Sequence, residues 1–313
     1  MPRISVARLF EDNREKLKLE WVAGRDHAAA ELDSERIKNA TQGLIGHLNL
    51  VHPNWIQIVG PTESRYLEGL NDTEREQVLR QIGAAEITCI IVGGGAAIPS
   101  ALTTLTAARQ IPVLRSAFDS VELMWLLRPY LARALAEATT IHGVLLDVLG
   151  MGVLITGDSG VGKSELALEL VSRGSGLIAD DVVELYRIGP ETVEGRCPLL
   201  LKDFLEVRGL GVLNMRTIFG EAALRLRKNL KLIVHLEKPS GAEPGRVERL
   251  PLNAGSQEVL GVRIRRMTIP VAAGRNLAVL VEAAVRNYVL QLRGVDSTLE
   301  FITRQEEQLG RGG

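Results

Sequence analysis

Cysteine is scarce in this chain: Cys89 and Cys197 are the only two in 313 residues. Cys89 lies inside the apolar run ITCIIV and reads as a small core residue, while Cys197 precedes Pro198 and an LLL run. Neither belongs to a CxxC pair or a His/Cys cluster, so neither a structural zinc site nor a disulfide is expected. An excess of one charge is missing too, the formal net charge being −1. Nucleic-acid binding needs a surplus of Lys and Arg on one face, and the clusters RLRKNLK (225–231) and RIRR (263–266) read as solvated faces. No apolar run approaches the ~18–20 residues of a membrane-spanning helix, and no charged-then-apolar signal pattern opens the sequence. Internal repeats and low-complexity tracts are also lacking. The expectation is a cytoplasmic protein with no nucleic-acid or membrane partner.

What is present is an ordinary globular composition, 46% hydrophobic and 24% charged, in a chain long enough to favour two domains. NWIQIVG (54–60), ITCIIVGGG (87–95) and IPVLRS (111–116) read as strands, with helices expected over 71–82 and about 99–109. Such alternation predicts an α/β unit with a mostly parallel sheet. Asp119 is a plausible N-cap for a long helix interrupted near Pro129. The boundary is placed along or just after that helix, giving domains 1–133 and 134–313.

Beyond Ile141 two β-rich stretches meet around Gly150–Gly152, with Val144, Leu146 and Val148 sharing one face. SELALELVSRG reads as a helix with Leu166 and Leu170 on its apolar stripe and Gly174 as its stop. Further strands are expected at 177–185, 204–209 and 231–237, a Gly/Pro-rich loop at 239–258, and a last strong helix at 277–292.

Between strand VLIT and that helix lies GDSGVGKS (157–164), which meets the pattern G-x-x-x-x-G-K-[ST]. The glycines let backbone N–H groups turn inward around phosphate oxygens, and the helix aims its partial positive charge at the same anion. Gly157, Asp158, Ser159, Gly160, Val161, Gly162, Lys163 and Ser164 are therefore the expected nucleotide cradle. Lys163 would reach the β/γ-phosphates and the Ser164 hydroxyl would ligate Mg²⁺.

Asp180 and Asp181 follow the loop lysine by seventeen and eighteen residues. Adjacent strand side chains point to opposite faces, so one of the two is expected to enter the metal site directly. Glu206 reads equally as a site residue or as a surface glutamate paired with Arg208, and His142 opens the strand leading to the loop. The triple glycine at 93–95 reads as a turn, because position 98 is Ile and a dinucleotide fingerprint fails. No N-K-x-D segment supports a GTPase, and the H-R-D and D-F-G motifs of protein kinases are missing.

In combination, IHGVLLDVLGMGVLITGDSGVGKSELALELVSRGSGLIADDVVEL, LLKDFLEVRGLGVLNMRTIFG and IPVAAGRNLAVLVEAAVRN resemble the bacterial HPr kinase/phosphorylase family, strongly over 138–292 and more weakly before it. The resemblance implies a catalytic domain like that of phosphoenolpyruvate carboxykinase, a separate N-terminal α/β domain, and homohexameric assembly. It implies ATP-dependent phosphorylation of a serine on HPr or a paralogue, and dephosphorylation by inorganic phosphate with release of pyrophosphate. Position by position, it implies active-site roles for His142 and Lys163, proton acceptor and donor for Asp181, Mg²⁺ ligation by Ser164 and Glu206, and a catalytic role for Arg249. Leu205–Asn214 match the segment used in both reactions and Pro270–Arg275 the one used chiefly for dephosphorylation. Two departures stand out. Ala273 replaces a usual proline, and the loop before Arg249 carries two extra residues. A P-loop kinase of a small metabolite, or an ATP-sensing module without transfer, would share the loop.

Overall fold

The computed structural model describes residues 2–238, 255–272 and 274–310. Arg249 and Ala273 lie outside the described residues, as does most of the expected Gly/Pro-rich loop. The chain divides into two compact units, Met1–Glu137 and Ala138–Gly313.

In the first unit the sheet order is Glu20–Ala23, Val113–Arg115, Cys89–Val92, Asn54–Val59, Gly43–His47. Only the Glu20–Ala23 edge runs antiparallel. Strands covered on both faces need apolar residues at every position rather than at alternate ones, and all four residues of Cys89–Val92 are buried. Leu9, Phe10, Leu123, Leu127 and Leu131 cover one face of this sheet, from helices Val6–Leu17 and Ser120–Ala134. Leu67, Val78, Ile82 and Leu102 cover the other. The Asp119 carboxylate caps Ser120–Ala134 by accepting from the Glu122 N–H. Gly94 and Gly95 have φ of +71° and +64°, the turn expected of the triple glycine.

The second unit is built on a nine-stranded sheet. Strand Met151–Gly157 lies at its middle, antiparallel to Val144–Val148 and parallel to Arg227–Glu237, which in turn pairs in parallel with Val262–Pro270. Val144, Leu146 and Val148 face Leu166, Ala167 and Leu170 of helix Lys163–Ser172 and Val281 and Val285 of helix Leu277–Leu292. The intervening Leu145 packs on the opposite face with Leu185, Val193 and Ile233. This alternation puts the phosphate loop at the carboxyl end of a central strand, where open α/β sheets place ligands.

Several expectations require correction. The helix after Asp119 runs unbroken through Pro129: a helix held by Leu123, Leu127 and Leu131 against the sheet retains its path despite the missing N–H. Residues 177–185 are not one strand but two, Gly176–Ala179 and Val182–Gly189, broken at the aspartate pair. His142 ends its strand, Glu137–His142, rather than opening one. Residues 255–258 belong to strand Gly255–Val259, antiparallel to Val262–Pro270, since pairing with a partner fixes a polar segment that has no strand pattern of its own. A further, mostly exposed helix, Ser297–Gly310, follows the last strong one, which stands as expected.

Candidate active site

The loop's glycines are required by its geometry. Gly157 pairs with Leu236 of the neighbouring parallel strand, and a Cβ there would lie 2.5 Å from the Leu236 carbonyl oxygen, on a backbone with φ +142°. Gly162, at φ +100°, is the N-cap residue of helix Lys163–Ser172. The Val161 side chain is buried in the core and pins the loop between these two glycines. The Lys163 ammonium donates to the Gly157 and Asp158 carbonyls at 2.9 and 3.0 Å, so the lysine crosses the mouth of its own loop.

Asp180 joins three elements. It follows strand Gly176–Ala179, is 6% exposed, and accepts from the Ser164 hydroxyl at 3.1 Å through Oδ1. Its Oδ2 accepts from the Glu206 backbone N–H at 2.9 Å, on strand Phe204–Val207. Burial raises its pKa above the ordinary value; the Glu206 N–H and Ser164 hydroxyl oppose that shift, and the neighbouring Asp181 charge adds to it. The Asp180 carboxylate is therefore a fixed anchor between the phosphate-loop helix and the strand of Glu206. The sequence singles it out only as one of an aspartate pair.

Asp181 is placed otherwise. Its backbone has φ +64°, and the Val182 N–H donates to the Asp180 carbonyl at 2.8 Å, closing a γ-turn centred on Asp181. The positive-φ hand of this turn is rare and strained, and such strain clusters at functional sites. The turn is held by its surroundings: the Gly143 N–H donates to the Asp181 carbonyl at 3.1 Å, and His142 Nδ1 lies 3.2 Å from the same oxygen. The histidine ring also stands 3.6 Å from Asp181 Oδ1, the two side chains being 84% and 70% exposed. One aspartate is thus buried and anchored, while its neighbour is presented to solvent beside a histidine. The turn, rather than strand alternation, separates them.

These groups share one cleft of about 410 Å³, lined by Lys163, Ser164, Asp180, Asp181, Glu206 and Arg208 among others. The cleft therefore brings Lys163, Ser164, Asp181 and Glu206 together, and hydrogen bonding to Asp181 adds His142. Hairpin Phe204–Val207/Gly211–Asn214 forms one wall, so the segment Leu205–Asn214 borders it. Among the described residues Glu206 and Arg208 form no ion pair, so the alternative reading of Glu206 as a paired surface residue does not hold. Also among the described residues, no three His, Cys, Asp or Glu side chains converge as a metal cage. Mg²⁺ suits such a place, because it binds through one or two protein oxygens and completes its shell with water and substrate phosphates. Ser164, with its hydroxyl on Asp180, and Glu206 are fitting donors.

Two family models match the chain: the HPr serine kinase N terminus over residues 4–131 and the HPr serine kinase C-terminal domain over 133–305. A curated HPr kinase/phosphorylase of Nitrosomonas europaea is 59% identical over 309 residues, covering 99% of this chain and 96% of that protein. One from Chromobacterium violaceum is 52% identical over 304 residues, covering 97% and 95%. A solved structure of the Hpr(Ser) kinase/phosphatase from Coxiella burnetii is 34% identical, covers 52% of this chain and 98% of that one, and superposes with a TM-score of 0.46. With both domain models matched in order and relatives this similar along nearly the whole length, the chain belongs to the HPr serine kinase family.

Proposed function

We propose that this protein phosphorylates a serine of the phosphocarrier protein HPr, or of a paralogue, with ATP, and removes that phosphate with inorganic phosphate, releasing pyrophosphate. The observation that carries the reading is the placement of an exposed, strained Asp181 beside His142 in the same cleft as the phosphate loop and the Ser164–Asp180–Glu206 cluster. An acid/base group 70% exposed suits a hydroxyl carried on a protein surface. A small metabolite would call for an enclosed pocket. Residues 134–313 form the catalytic domain in this reading, a P-loop kinase of the phosphoenolpyruvate carboxykinase kind, and 1–133 a separate domain of unassigned role.

In the forward direction the loop N–H groups and Lys163 hold the nucleotide's phosphates. Asp181 accepts the seryl proton as the serine oxygen forms its bond to the γ-phosphorus and the bridging P–O bond to ADP breaks. His142 donates through Nδ1 to the Asp181 carbonyl and keeps the carboxylate's turn in place. In reverse, a phosphate oxygen attacks phosphoserine, the serine oxygen leaves with the proton from Asp181, and pyrophosphate forms. Mg²⁺, held by Ser164 and Glu206, would neutralise phosphate charge. Arg249 is proposed as a further catalytic cation by its match in sequence, and Pro270–Arg275 as the segment serving mainly the reverse reaction. Homohexameric assembly and a cytoplasmic location belong to the same reading; among the described residues no helix is long and apolar enough to cross a membrane.

The test is incubation with purified HPr, labelled ATP and Mg²⁺, then with excess phosphate while pyrophosphate is monitored. Labelled HPr that loses its label with release of pyrophosphate is the expected result. Label in a small acceptor, or binding without transfer, would overturn it in favour of a metabolite kinase or a sensing module.

A further inference from the structure

The cleft's charges are unequally engaged. Its lining includes four carboxylates, Glu165, Asp180, Asp181 and Glu206, against the cations Lys163 and Arg208. Lys163 already donates to two carbonyls of its own loop. Arg208 is exposed and, among the described residues, has neither a carboxylate partner nor a side-chain hydrogen bond. A guanidinium beside that many carboxylates would be expected to pair with one.

Its position is set by the backbone. Arg208 begins the tip between the strands Phe204–Val207 and Gly211–Asn214, a tip closed by the Leu210 N–H donating to the Val207 carbonyl at 3.0 Å. Gly209 and Gly211 have φ of +86° and +83°, values that allow so short a reversal. The hairpin lays the guanidinium on the phosphate loop itself. A Cβ at Gly160 would lie 3.3 Å from both Nη1 and Nη2 of Arg208, so the glycine gives the guanidinium room. The same strand holds the Glu206 N–H to Asp180, which ties the hairpin to the carboxylate that also holds the Ser164 hydroxyl. A planar fork with free donors at the edge of a phosphate cradle is suited to two parallel hydrogen bonds to a phosphate dianion.

We propose that Arg208 binds the phosphoryl group in transit: the terminal phosphate of the nucleotide in the kinase direction, and in the return reaction the phosphoserine phosphate that becomes one half of pyrophosphate. This rests on the phosphoryl-transfer reading and adds to it a cation that approaches from the hairpin rather than from the loop. The role predicts discrimination: Arg208 contributes to any ligand that carries the transferable phosphate, and little to ADP or to inorganic phosphate, the acceptor, which the loop and Lys163 hold.

The test is titration calorimetry of the full chain with inorganic phosphate, pyrophosphate and ADP, on wild type, Arg208→Ala and Arg208→Lys, with steady-state kinetics alongside. Pyrophosphate affinity should fall roughly ten- to a hundred-fold in Arg208→Ala, the scale of charge-assisted hydrogen bonds. The KM for ATP should rise in step, while ADP and inorganic phosphate affinities should stay within about twofold. Arg208→Lys should recover only part of the loss, because a point charge cannot supply the fork. The residue is exposed, so thermal unfolding should be unchanged. Equal pyrophosphate affinity in wild type and Arg208→Ala would overturn the proposal, as would an equal loss for ADP or inorganic phosphate. A wild-type protein that transfers phosphate to no acceptor would refute the functional reading itself, and the calorimetry tells the two failures apart.

Discussion

Replacing Asp181 by glycine should make the protein more stable and inactive. The backbone there sits at φ +64°, where a residue with a Cβ is disfavoured by about 1–2 kcal/mol, at the centre of a turn closed by Val182 N–H on the Asp180 carbonyl. Glycine removes that penalty but gives back roughly 0.4–1 kcal/mol through the greater freedom of the unfolded chain. The carboxylate itself contributes little. It is 70% exposed and 3.6 Å from His142, and exposed pairs of this kind are worth about 0–1 kcal/mol. The balance is a gain of about 0.5–1 kcal/mol, which for a unit the size of Ala138–Gly313 is a rise in Tm of about 1–4 °C.

Asp181→Asn is the control. Asparagine tolerates the same backbone, so its Tm should match wild type while its transfer activity falls as far as that of Asp181→Gly. Calorimetry and the two-direction transfer assay read both quantities. A glycine variant no more stable than the asparagine variant would refute the strain argument. Turnover above about one hundredth of wild type in either variant would refute the acid/base assignment, since general acid–base catalysis contributes at least ~10²-fold.

Asp180→Ala should behave oppositely, costing about 1–3 kcal/mol because the Ser164 hydroxyl and the Glu206 N–H lose their shared acceptor; an unchanged denaturation midpoint would count against the bridge. Glu282 accepts from Arg173 at 2.7 and 3.0 Å, tying helix Leu277–Leu292 to the phosphate-loop helix, and those bonds hold its pKa below the usual carboxylate value. A carboxylate lowered in the folded state stabilises above its unfolded pKa and loses that effect as pH falls through the folded one. Glu282→Gln should therefore be less stable at neutral pH and begin to converge on wild type as pH falls below about 4; a difference undiminished in stronger acid would rule out the ion pair as its source. Burial pushes the Cys197 thiol up to about 11, aided by the charges of Asp203, Glu184 and Asp180. Its alkylation, followed by mass spectrometry, should be slow at neutral pH and accelerate about tenfold per pH unit, whereas a rate that levels off near pH 8 would mean an ordinary thiol.

The phosphate loop was legible in the sequence because everything that defines it is local: the strand before it, the glycines within it and the helix after it. The first unit's parallel sheet was legible for a similar reason, since strands buried on both faces write continuous apolar runs such as CIIV. What could not be read depends on partners distant in the chain. The Asp180 contact with Glu206 spans 26 residues, and nothing in ADDVV states that the backbone turns between the two aspartates. Strand Gly255–Val259 shows only Val259 buried, so no alternation announced it. Helix Ser297–Gly310 is dominated by polar residues and carried too little apolar pattern to be claimed. In sequence Arg208 reads as a partner for Glu206 and as part of the matched segment Leu205–Asn214; nothing local states that the hairpin tip lays it on Gly160.

The aspartate pair shows why adjacency in sequence can serve two incompatible demands. An anchor between Ser164 and Glu206 must be buried and fully hydrogen-bonded, which raises the cost of its charge and makes it a poor exchanger of protons with a protein substrate. A proton acceptor for a seryl hydroxyl must instead be reachable from solvent yet stand next to the same phosphates. On a continuous strand the second residue would be carried to the opposite face of the sheet, away from the cleft. The turn at Asp181 resolves the conflict by keeping both carboxylates in the cleft at different depths, with its cost held down by the hydrogen bonds from Gly143 and His142. His142 therefore has a structural part even before any contact with substrate: its ring lies against the Asp181 carbonyl, and so against the strained backbone on which the position of the proposed acid/base group depends.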